Sequence, residues 1–153
     1  MMVLPRLFCS GAVVATVADV DIYLLTVESW NDRVVVRTVG AMTTPAQAIV
    51  AEDIARSAEW RQRLQAGANE PPPESAAALL ARSLRVDLAD TAGTDYRLLA
   101  RSTGGAYDGG AALYCEWVFA PSLPEAATSI VVTVANADGS AITQTLTAAV
   151  GYK

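Results

Sequence analysis

The chain contains no histidine. A Ser-His-Asp or Cys-His nucleophile takes its base from an imidazole, and most catalytic zinc and non-haem iron sites take ligands from one. Those chemistries lie beyond the reach of this sequence. Cysteine is nearly as scarce. Cys9 and Cys115 stand far apart, so no Cys-x-x-Cys zinc knuckle or thioredoxin-type motif exists. They read as two buried thiols, with a single disulfide between them as the alternative in an oxidising compartment. Lysine occurs once, at Lys153, against ten arginines, and the net charge is −5. The pI near 4.6 lacks the basic stripe of a nucleic-acid binder and disfavours anionic lipid. No run is long and apolar enough to span a bilayer. Residues 7–9 and 12–15 faintly suggest an export signal. Ser10 and Gly11 interrupt them and only Arg6 supplies charge, so the segment reads as a first strand and the expected location is cytoplasmic.

The dominant pattern is short apolar–polar alternation, broken by Gly, Asp, Asn and Pro. At 153 residues the chain is expected to form one domain over 1–153, burying roughly two-thirds of its unfolded surface. Residues 13–17 suggest a short strand. In 20–28, Val20, Ile22 and Leu24 fall on one face, and Tyr23, Leu25 and Val27 on the other. That pattern predicts a central strand covered on both faces for part of its length. Trp30-Asn31-Asp32-Arg33 is a turn leading to a strand over 33–39. Further strands are expected near 84–89, 95–101, 114–119, 129–135 and 142–149. Trp117, Phe119, Leu88, Leu98 and Val132 are the expected core, and Asp90 to Thr94 and Asn136 to Gly139 are expected hairpin turns.

Between these strands the period changes over 44–82. Thr44 is the expected helix cap, with Pro45 at the first helical position and Gln47 completing a capping box; Gly67 ends the helix. Pro71-Pro72-Pro73 is a stiff spacer, and Ser75 caps a second helical turn through Arg82. Val50, Ile54 and Ala58 form an apolar stripe too narrow for a buried helix, and Trp60 and Leu64 a second, slightly rotated one. Val50, Ile54, Trp60 and Leu64 are therefore the candidate contact residues, toward the sandwich itself or toward a second chain.

Other constellations point to chemistry weakly. The Gly-rich run from Thr103 to Gly110 lacks a Gly-Lys-Ser/Thr end and precedes a strand, so it reads as a hairpin loop and not a phosphate loop. Asp87, Asp90, Asp95 and Asp108 lack calcium-loop spacing and read as turn formers. Glu28 with Asp32, or Glu116 with a loop aspartate, is the carboxylate pair a glycoside hydrolase would need. No serine stands in a Gly-x-Ser-x-Gly context. Trp30, Tyr107 and Asp108 are the residues a small-ligand or carbohydrate site would use.

From Leu84 onward the chain reads Leu84-x-Val86-x-Leu88-x-Asp90-x-x-Gly93-Thr94-x-Tyr96. A Gly-rich loop comes next, then Trp117-x-Phe119-x-Pro121-x-x-Pro124 and an alternating strand over 130–134. This pattern resembles immunoglobulin-like β-sandwich domains of bacterial proteins. The earlier pair of strands over 20–39 resembles theirs too, the likeness covering about two-thirds of the chain. The resemblance implies a fold and no activity. The helical insertion departs from it, and the Cys-Trp-Cys arrangement of antibody domains is missing.

The expected molecule is thus a mainly β, immunoglobulin-like antiparallel β-sandwich with one inserted α-helical segment. The leading functional expectation is a non-catalytic interaction or structural module that self-associates or binds a protein partner. It needs no cofactor or metal, and binds neither nucleic acid nor membrane. A small-ligand or carbohydrate-binding sandwich is the alternative, and a carboxylate-based hydrolase the second.

Overall fold

The structure is a computed structural model that describes residues 4–104 and 113–148. Eight strands and two helices run in the order β1 (Arg6–Val17), β2 (Val20–Ser29), β3 (Val34–Gly40), α1 (Thr44–Gln65), α2 (Ala76–Arg82), β4 (Leu84–Ala89), β5 (Arg97–Thr103), β6 (Tyr114–Ala120), β7 (Ser129–Asn136) and β8 (Ala141–Thr147). They form a five-stranded sheet, β1-β2-β3-β6-β5, and a three-stranded sheet, β4-β7-β8, with every pairing antiparallel. This is the mainly β sandwich with a helical insertion that the alternation predicts.

The inner faces of the two sheets share one core. Phe8, Leu24, Val27, Val36 and Trp117 come from the larger sheet, and Val86, Ile130, Val132 and Val134 from the smaller. Trp117, Phe119 and Val132 are buried as expected, and Leu88 packs half-buried at the margin. Leu98 is a correction, since it is 52% exposed. Its register opposite Phe119 points it inward, but β5 is the edge of a five-stranded sheet facing only three strands.

Four register shifts re-aim side chains in ways alternation does not reveal. One lies between Leu24 and Thr26, so Leu25 is the extra residue and Val27 joins the buried face with Leu24. Another, at Leu99, turns Ala100 to the outer face opposite Val118, not inward as period two predicts. The first strand carries two register shifts and is much longer than the expected 13–17. It meets β2 through Ala18 and Asp19, both at positive φ (51° and 62°), the conformation a two-residue hairpin needs.

The turn from Asp90 to Thr94 is a second correction. It joins no hairpin, because β4 pairs with β7 and β5 with β6. The chain crosses there from one sheet to the other. Asp90 organises the crossing: Oδ1 accepts the backbone N–H groups of Ala92 (2.8 Å) and Thr94 (3.2 Å), and Oδ2 accepts the Tyr96 hydroxyl at 2.7 Å. The segment holding Pro121 and Pro124 carries the chain back across, as those prolines suggest.

The cap of α1 is Thr43, one residue before the expected Thr44. Thr43 is extended (φ −78°, ψ 172°) and its side chain accepts the Ala46 N–H. Pro45 is then the second helical residue and Gln47 the fourth, one beyond the capping-box position. Gly67, at φ +94°, stands just past the helix end, with its N–H on the Leu64 carbonyl and that of Ala68 on Arg63. Ser75 caps α2 as predicted.

Candidate functional site

The four expected contact residues on α1 divide between two environments. The N-terminal half of the helix docks on its own chain through buried Ala46, with Ile49 and Val50 packed against the core. Buried Asp53 accepts the backbone N–H of Ala76 at 3.1 Å and so ties α1 to the start of α2. Trp60 is half-buried, and its indole N–H donates to the Glu70 carbonyl at 3.0 Å while Arg63 pairs with the Glu70 carboxylate. The chain returning from α1 therefore folds back along the helix end. Ile54 and Leu64 stay exposed.

Of the expected ligand residues, Trp30 is half-buried at the β2–β3 turn, and Tyr107 and Asp108 lie outside the described residues. Trp30 donates its backbone N–H to the Arg33 carbonyl at 2.8 Å and its indole N–H to Glu28 Oε2 at 3.2 Å. Its indole walls a shallow depression of about 230 Å³ with Arg33, Val35, Arg37, Glu116 and Val118.

That depression is one end of a larger feature, the outer face of the five-stranded sheet. The registers place three cross-strand rows there. Val13, Tyr23, Val39 and Tyr114 form the first; Cys9, Thr26, Arg37, Glu116 and Ser102 the second; Leu7, Glu28, Val35, Val118 and Ala100 the third. Antiparallel sheets commonly turn a polar face to water, whereas this outer face carries two mainly apolar rows. Leu7, Val13 and Leu25 are exposed, and Val35 is buried beneath its neighbours. Among the described residues, Ala46 of α1 and Ala76, Leu80 and Ala81 of α2 join the core on the sheet's other side, and neither helix lies over these rows.

Arg37 joins the centre of the face. Its Nε and Nη2 hold the Glu28 carboxylate at 2.8 and 3.3 Å, and its Nη1 binds Glu116 and the Tyr114 hydroxyl. Ser102 donates to the second oxygen of Glu116 at 3.1 Å. The hydrogen bond from Arg37 holds the Glu28 carboxyl below its ordinary value against the opposing effect of burial, and the same bond raises Arg37. Burial raises the Tyr114 phenol, which the neighbouring guanidinium partly offsets. Both glutamates are thus tied as ion-pair acceptors on one guanidinium. The expected Glu28–Asp32 pairing is replaced by this bridge, while Asp32 is exposed beside Arg33 at 4.0 Å. The signal for the network lies in β3, where Arg37 is the lone charge in a run of Val and Thr, but naming its partners requires the register.

Cys9 is exposed on the outer face of β1 and Cys115 is buried on the inner face of β6, so both are free thiols. Burial pushes the Cys115 thiol up to about 12, which makes it a packing residue and not a nucleophile. Among the described residues no three Cys, Asp or Glu side chains converge to hold a metal ion, and no helix is long and apolar enough to cross a membrane. No protein family, curated protein or solved structure matches the chain.

Proposed function

We propose that this protein is a non-catalytic interaction module whose contact surface is the outer face of the five-stranded sheet. One observation carries the reading: two mainly apolar cross-strand rows lie on a sheet face that no described helix covers. Protein interfaces favour an apolar centre whose charges are already paired, because an unpaired charge is costly to desolvate. The Glu28–Arg37–Glu116 bridge supplies part of that pairing in advance, two carboxylates sharing one guanidinium and leaving one negative charge in excess. The same bridge disfavours the hydrolase reading, since a general acid needs a raised carboxyl and Glu28 is lowered.

The test is site-specific photo-crosslinking in the native cells with a benzophenone residue in place of Tyr23. Discrete adducts are expected there, and none from the same residue at Arg85, on the outer face of the smaller sheet. Absence of adducts at Tyr23 would sink the reading. The depression walled by Trp30 supports a second reading, a small-ligand site. That reading predicts quenching of Trp30 fluorescence by a saccharide panel, with the response lost in Trp30→Phe.

A further inference from the structure

We infer that the surface covering this face is a second copy of the same chain, packed face to face about a two-fold axis parallel to the strands and midway between β3 and β6. The inference rests on the interaction reading above and names the partner. Its basis is the β3–β6 register, in which Val35 pairs with Val118, Arg37 with Glu116 and Val39 with Tyr114. Rotation by 180° about such an axis lays each β3 residue over its own β6 partner in the other copy. Arg37 then stands over the second copy's Glu116, Val35 over its Val118, and Val39 over its Tyr114. An isologous interface requires this kind of self-complementarity.

The donors of Arg37 agree with the arrangement. A guanidinium has five N–H donors, and Arg37 uses four: one to each Glu28 oxygen, one to Tyr114 and one to Glu116. The remaining N–H is free for the facing carboxylate. Glu28 falls opposite Ala100 and enters already paired with Arg37. Under this axis β1 overhangs, and the four overlapping strands β2, β3, β6 and β5, about 4.8 Å apart and about seven residues long, give a footprint of roughly 450 Å² before side-chain relief, about half of the ~800 Å² each partner contributes to a standard interface. Aligned sheet packing tolerates the angle that strand twist imposes.

The experiment is light-scattering mass on the purified chain and on two charge variants, Arg37→Glu and Glu116→Arg. The wild type is expected at twice 16.0 kDa. Each variant alone is expected at the single-chain mass, because its two copies present like charges to each other. An equimolar mixture of the two should recover the doubled mass, since each copy then faces its opposite. A wild-type mass of one chain at all concentrations up to about 100 µM overturns the inference, whatever the variants do. A doubled wild type whose variants remain doubled also overturns it, because another face then makes the dimer. Should either variant lose its β spectrum, Val118→Lys replaces it, and a doubled mass for that folded variant counts against the inference. A single-chain wild type that still yields heavier adducts from Tyr23 in cells leaves the interaction reading standing with a different partner; no adducts removes both.

Discussion

The hydroxyl of Tyr96 donates to Asp90 Oδ2 at 2.7 Å and closes the crossing between the two sheets. Burial alone would raise the Asp90 carboxyl. The hydrogen bonds from Thr94, Tyr96 and the Ala92 backbone outweigh it and bring the value from 3.8 to about 2. A carboxyl depressed by folding stabilises fully above its unfolded value, and the contribution drains as pH falls through the folded one. Asp90→Asn should therefore cost about 1–2 kcal/mol at neutral pH, with the gap from wild type narrowing between about pH 4 and pH 2. Urea midpoints across that range measure it, and a gap independent of pH would refute it. Tyr96 is raised, first by burial and then by Asp90. Its contribution is present below pH 10 and is lost at more alkaline pH.

Gly40 is constrained by space. A Cβ there would stand 2.9 Å from both Cβ and Cδ1 of Leu113 and 3.1 Å from Val20 Cγ1. The Leu113 Cβ is fixed to the backbone that accepts the Gly40 N–H at 3.0 Å, so it cannot swing aside. Gly40→Ala should cost about 1–3 kcal/mol through overpacking. A urea midpoint within ~0.5 kcal/mol of wild type would show that the end of β3 yields freely.

Asp53 is buried, and its one described hydrogen bond runs to Ala76 N–H. Asp53→Ala leaves that donor without its acceptor and should cost about 1–3 kcal/mol. The loss should appear as faster amide exchange in α1 and α2, with the sheets still protected. Unchanged exchange in α1 would mean that Ala46, Ile49 and Val50 alone hold the helix.

Trp117 and Leu98 alternate inward on neighbouring strands and differ in cover. Trp117→Ala should cost roughly 3–5 kcal/mol, whereas Leu98→Ala should cost under ~1 kcal/mol because β5 extends beyond the smaller sheet. Equal losses would mean that the edge of the larger sheet is covered in solution.

Alternation in Leu84, Val86 and Leu88, in Cys115, Trp117 and Phe119, and in Ile130, Val132 and Val134 was enough to place these strands and their buried faces, because burial on one side of a pleat imposes period two. Ser75, Gly67 and the spacer prolines marked the helical insertion for equally local reasons, as capping and φ restriction act within a few residues. Sheet membership is not local. That Asp90 to Thr94 crosses between sheets, and that Leu98 faces inward with nothing over it, depend on which strand pairs with which. The bulges at Leu25 and Leu99 each reverse the facing of the residues beyond them, and a single extra residue leaves no compositional trace. The outer face was legible only as the expectation that both faces of β2 are covered. Gathering Glu28, Arg37, Glu116 and Tyr114 from three strands into one network required the antiparallel register, which tertiary structure alone decides.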